Sequence, residues 1–168
     1  MIEVPILAFK GNKGEIFKVI LEKKSGSGRL YLDSNLCFNA DAYREVRTAF
    51  ALIHPKMDIL IRYNGRKCKP ICGGSLGLPI YLGMYALTHG LKMNSKAFST
   101  GLLDVKGRVG RIGYLAEKIK AALGKGESIL VPRGQGIPVK GIRVLEVRTA
   151  KEAAKILFHL KKSGHKKL

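Results

Sequence analysis

The segment from Ser75 to His89 is apolar on nearly every face, through Leu76, Leu78, Ile80, Leu82, Met84, Ala86 and Leu87. A helix that is apolar all round is a buried helix, so the rest of the chain has to enclose it. Pro79 falls in its first turn or just after, where a missing N–H is tolerated, and Gly90 ends it. Upstream, Glu15–Leu21 and Arg29–Leu32 are β-rich, and the intervening Ser25-Gly26-Ser27-Gly28 predicts a hairpin between them. Asn39 offers an N-cap to a helix over Ala40–Ile53, which His54-Pro55 closes. Met57–Tyr63 reads as a strand. Downstream, the pattern predicts a hairpin through Lys106–Val109, a helix near Tyr114–Leu123 and strands at Ser128–Pro132 and Ile142–Val147. Thr149-x-x-Glu152 is a capping box for a last helix over Ala150–Lys162. This mixed order predicts one α/β or α+β domain across residues 1–168, ending in a basic tail, 161–168.

Charge narrows the partners. The 168 residues carry 31 Lys and Arg against 12 Asp and Glu, a net charge of +19. Such a balance suits a polyanion, nucleic acid or an acidic membrane surface; the alternative is a solvated, Lys-rich surface of a heat-adapted protein. The concentrated cations are Arg62, Arg66, Lys67 and Lys69, and the tail residues Lys161, Lys162, Lys166 and Lys167. Neither group alternates with aromatics, so no single-strand stacking platform is expected there. No apolar run approaches the roughly 20 residues of a membrane helix, and Met1–Pro5 shows no secretory pattern. A cytoplasmic protein without a membrane span is the expectation. Three cysteines, an odd number, argue against a disulfide framework.

Cofactor signals are weak. Cys68-x-x-x-Cys72 is at most half of a metal site, and Cys37, His54 and His89 add no matched spacing. The glycines at 107, 110 and 113 do not form the dinucleotide fingerprint, and no phosphate-binding loop is present. Neither a metal nor another cofactor is expected, and the four histidines give no serine–histidine triad.

Two residues carry sharper chemistry. Ser75 follows Gly73-Gly74 at the mouth of the buried helix, where unpaired N–H groups and a positive partial charge accumulate. A serine there is either a nucleophile whose neighbouring amides bind an oxyanion or an ordinary N-cap. On the later helix, Leu115, Ala116, Ile119, Ala122 and Leu123 form an apolar arc, and Lys118 sits just outside it. Burial there lowers a lysine pKa and makes it a general base; the alternative is a snorkelling side chain with its ammonium in water.

Pro70-Ile71-Cys72-Gly73-Gly74-Ser75-Leu76-Gly77 is similar to the Pro-Lys-Asp-Gly-Pro-Ser-Ala-Gly nucleophile motif of the Lon proteases. Ser99-Thr100-Gly101, followed by Gly107-Arg108-Val109, Ile112-Gly113, Leu115 and Glu117-Lys118, resembles that family's Thr-Gly…Gly-x-Val-x-x-Ile-Gly-Gly-Leu-x-Glu-Lys block. The blocks fit without insertion between Ser75 and Lys118. The resemblance covers about residues 15–160 and is strongest over 70–132. It implies a Lon-like proteolytic fold with a catalytic dyad of Ser75 and Lys118. Thr100 would bond the lysine amine, and the Gly73-Gly74 loop would supply the oxyanion site. It further implies an unfolded or short polypeptide substrate, a ring hexamer, and an ATPase on a separate chain, since no such module fits in this length. Cys72, Gly74 and Leu102 depart from the family's acid, proline and glutamate. Relatives without the dyad serve in nucleic-acid-handling proteins. The alternative function is therefore a non-enzymatic nucleic-acid- or ribosome-associated protein, using Arg62, Arg66, Lys67, Lys69 and the tail as phosphate contacts.

Overall fold

This computed structural model describes residues 1–159, so the expected basic tail and the end of the last helix lie outside the described residues. In chain order the elements are β1 (Ile2–Lys10), β2 (Lys13–Lys24), β3 (Leu30–Leu32), β4 (Leu36–Phe38), α1 (Ala40–Ile53), β5 (Asp58–Arg62), β6 (Lys69–Ile71), α2 (Gly77–Thr88), β7 (Ala97–Ser99), β8 (Leu102–Leu103), β9 (Val109–Gly110), α3 (Leu115–Ala122), β10 (Ser128–Pro132), β11 (Arg143–Val147) and α4 (Ala150–His159). The fold is mixed α+β, as the element order predicts.

The first hairpin is not the expected one. Gly11 and Asn12 have φ of 56° and 67°. Consecutive positive-φ residues give a turn whose twist matches an antiparallel pair, and Ile2–Lys10 pairs with β2 from Leu21 back to Lys13. β3, expected against β2, instead runs parallel to β5, which lies between them in the order β1-β2-β5-β3. Asp58 fixes that arrangement: its Oδ1 accepts the N–H groups of Gly28 and Arg29 at 3.0 and 2.8 Å, at the entrance to β3. Pro5 sits on edge strand β1, where its missing donor costs no ladder bond.

The helix over Ala40–Ile53 forms with its expected boundaries. Asn39 accepts the N–H of Ala42 at 2.9 Å, and His54 closes the helix with φ 49°. The apolar α2 is enclosed by α1, α4, β1, β2, β7 and β8, with Leu78, Ile80, Leu82 and Met84 fully buried. β10, buried along its length, pairs in parallel with β7 on one side and β11 on the other. A second apolar cluster, including Leu7, Phe98, Leu115, Ile119 and Ile129, holds α3 between the β1–β2 hairpin and β10. Contact there is close: a Cβ on Gly14 would strike the carbonyl of Glu117, so only glycine lets the hairpin lie on α3.

The cysteine expectation is corrected. β4 and β6 pair in parallel with Cys37 opposite Pro70, and Cys37 is joined to Cys68 across a Cα separation of 6.4 Å. That spacing suits a disulfide. An odd count excludes only complete pairing, and Cys72 is the exposed thiol left over. The bridge closes a loop of sequence separation 31. Loop-closure entropy of that size corresponds to about 3–4 kcal/mol. It also anchors the segment that runs into Ser75. Among the described residues, no helix is long and apolar enough to cross a membrane.

Candidate active site

A cleft of about 520 Å³ opens between β1, β2, the segment from Lys69 to Leu76, and the segment from Arg111 to Tyr114. Ser75 and Lys118 both line it. Ser75 caps nothing: the cap position of α2 is Leu76, which makes no side-chain cap bond. The serine hydroxyl instead accepts a hydrogen bond from Lys118 Nζ at 2.8 Å. The amides of Gly74 and Ser75 donate to no acceptor among the described residues, and Gly73 turns the chain with φ 83°. Unpaired amides at the start of a helix form a site for developing negative charge.

Lys118 does not snorkel. It is 4% exposed, on the buried side of α3 with Leu115, Ile119 and Ala122. Burial takes its pKa from 10.5 down to about 8. At pH 7 about a tenth of such amines are neutral, several hundredfold more than for an ordinary lysine. The pair is therefore a hydroxyl with a base of suitable pKa at hydrogen-bonding distance, beside unpaired amides. That arrangement is competent for nucleophilic attack on a carbonyl.

Thr100, expected on the lysine amine, lies against the main chain of Ser75. Gly101 N donates to the Ser75 carbonyl at 3.0 Å, and the fully buried Thr100 places Oγ1 on the same carbonyl at 3.4 Å. Thr100 N is held by Leu130 O at 3.0 Å, so the end of β7 runs along the Ser75 main chain and brings the hydroxyl there. Thr100 is thus a support of the serine backbone, a correction to its expected bond with the lysine amine.

Several supporting residues carry little or no signal in the sequence. Glu45, 4% exposed on α1, lies against the loop at Gly74 and the start of α2 and accepts the Leu103 N–H at 2.7 Å. Burial pushes its carboxyl up, against the pull of that bond. Cβ atoms on Gly74 or Gly77 would run into the Glu45 side chain. The signal was present in outline, since Glu45 interrupts the apolar stripe Ala42, Val46 and Ala49. Gln135 brackets the far wall: Oε1 accepts the Ile112 N–H at 2.8 Å and Nε2 donates to the Ile112 carbonyl at 2.9 Å. Its turn is fixed by Glu146, whose Oε1 accepts from Gly134 and Gly136 at 3.0 and 2.7 Å. No pattern marks Gln135 in the sequence.

The basic loop is less free than its composition suggests. Arg62 pairs with Glu22 at 2.6 Å, and Lys69 pairs with Glu15 at 2.8 Å while lying over the Phe17 ring. Only Arg66 and Lys67 of the four are exposed. Among the described residues, no three His, Cys, Asp or Glu side chains are grouped to hold a metal ion. No known protein-family profile matches the chain.

Proposed function

We propose that this protein is a serine peptidase with a Lon-like proteolytic fold, working on polypeptides that are short, already unfolded, or delivered by a separate ATPase. The observation that carries the reading is the 2.8 Å bond from Lys118 Nζ to Ser75 Oγ inside the cleft. Neutral Lys118 takes the hydroxyl proton as Ser75 Oγ attacks the scissile carbonyl. The oxyanion settles on the amides of Gly74 and Ser75. Lys118 then returns the proton to the leaving amine as the C–N bond breaks, and water activated by the same amine hydrolyses the ester.

The departures from the motif are mutually consistent. The Leu102 side chain occupies the space into which a Cβ at residue 74 would point, so a leucine at 102 goes with a glycine at 74. Cys72 is exposed and adds no buried charge beside the lysine. Substrate main chain is expected to align with the unpaired edge of β1, whose residues Ile6–Lys10 line the cleft.

The test is hydrolysis of unfolded casein as a function of pH. Activity requires neutral Lys118, so kcat/KM should rise about tenfold per pH unit below about 8 and level off above it. A profile that is flat from pH 6 to 9, or no hydrolysis anywhere in that range, contradicts the reading.

A further inference from the structure

Tyr114 sits in the left-handed region with φ 57°, at the cap position of α3. Glycine would hold that φ without strain, and Ser, Thr, Asp or Asn would add a capping bond. Tyrosine does neither, and its side chain makes no cap bond. What the position retains is the ring. Tyr114 is 60% exposed, and its ring stacks flat on Phe9, with centroids 3.9 Å apart and planes 4° apart. Both rings line the cleft that holds Ser75 and Lys118. A residue in a costly conformation that exposes an aromatic surface at a cleft mouth is an outlier that asks for a ligand.

The charges beside the stack say which ligand. Lys10 follows Phe9, and Arg111 lies three residues before Tyr114; both are exposed and line the cleft. Neither pairs with a carboxylate among the described residues, although Arg111 Nη1 reaches the Gly134 carbonyl at 3.5 Å. Glu15, the one carboxylate in the lining, is already held by Lys69 at 2.8 Å. We propose that the Phe9–Tyr114 stack is a substrate-binding platform that takes an aromatic side chain of the bound polypeptide, with Lys10 and Arg111 favouring acidic residues on either side of it. This rests on the peptidase reading, because the stack shares its cleft with the serine–lysine pair.

Binding separates the two claims. Fluorescein-labelled, unstructured 12-residue peptides, with a central phenylalanine, leucine or cyclohexylalanine between glutamates or glutamines, are titrated by anisotropy into the Ser75→Ala protein at 0.15 M salt. The phenylalanine peptide should bind about fivefold tighter than the cyclohexylalanine one, which has the bulk but no π face. Tyr114→Ala and Tyr114→Gly should each erase that preference, the glycine variant without loss of Tm because the strained φ is relieved. Lys10→Gln with Arg111→Gln should erase the preference for glutamate flanks and leave the ring preference in place. Absence of binding, equal affinity for the two central rings, or a ring preference that survives both Tyr114 variants overturns the platform. So does an oligouridylate that binds the cleft more tightly than the peptide, which would assign the stack to nucleobases. Ring-selective binding to Ser75→Ala with no hydrolysis by the wild type would remove the peptidase reading and leave the platform standing.

Discussion

Lys118→Met is expected to lower hydrolysis of an unfolded polypeptide by at least about 10⁴-fold and, in the same molecule, to raise thermal stability. In the proposed mechanism the activity loss follows from removing the amine that, among the described residues, is hydrogen-bonded to the Ser75 hydroxyl. The stability gain follows from burial. A lysine whose pKa falls from 10.5 to about 8 on folding holds its ammonium in the folded state unfavourably at neutral pH. At about 1.4 kcal/mol per tenfold, that is roughly 3 kcal/mol. Methionine fills similar space without charge but leaves the serine hydroxyl without its donor, so a net gain of about 2 kcal/mol is expected, or about 4–8 °C in Tm. The sign has a pH signature. Between about 8 and 10.5 the unfolded chain binds the lysine proton and the folded chain does not. Wild-type stability from this group therefore rises with pH through that window, and the advantage of Lys118→Met closes. Ser75→Ala should show the same activity loss with no comparable rise in Tm. Thermal melts at pH 7 and pH 10 on the three proteins check it.

Gly77→Ala is expected to destabilise the fold by about 2–4 kcal/mol, although alanine for glycine in an open helix gains up to about 1 kcal/mol. The reason is Glu45, whose carboxylate occupies the position of the new methyl group. Helix backbone and buried acid cannot both stay, so the substitution overpacks the site and draws the acceptor away from the buried Leu103 N–H. Because the loop that carries Ser75 packs on the same side chain, the proposed peptidase activity should fall as well. Glu45→Ala removes the clash, so the double variant should be less destabilised than the sum of the two single changes. Strict additivity in urea unfolding would show that the contact does not govern the loop.

These contacts mark what the sequence could and could not tell. Local rules sufficed where the determining atoms are local: Asn39 caps α1, the apolar run gives α2, and Ser128–Pro132 forms the buried strand β10. Ser75 and Lys118 were legible from motif register and from the lysine's place beside an apolar arc. Strand partnership was not legible, because β5 inserts between β2 and β3 from more than 25 residues away. β1 carries Pro5 within it, and a sequence does not show that such an interruption falls on a sheet edge. The bridge between Cys37 and Cys68 depends on the same kind of long-range pairing, β4 against β6. The role of Thr100 turned on which neighbour its hydroxyl meets, a matter of ångströms that spacing does not encode. Tyr114 and Gln135 carry no periodic signal at all; their meaning comes from a backbone angle and from two hydrogen bonds.

The charge of +19 is correspondingly more diffuse than its clusters suggest. Arg62 and Lys69 are committed to carboxylates, whereas Lys10 and Arg111 line the cleft with no carboxylate partner among the described residues. The basic character bears on the serine–lysine pair most directly through those two residues.

Covalent labelling decides whether Ser75 is a nucleophile activated by Lys118. A fluorophosphonate or a peptide boronate is incubated with wild type and with Lys118→Met, whose folding the melts establish, and the adduct is mapped by mass spectrometry. Modification at Ser75 is expected in the wild type, at a rate that climbs with pH toward about 8, and none at that residue in Lys118→Met. A wild type left unmodified at Ser75, or an adduct forming equally fast without the lysine, would contradict it.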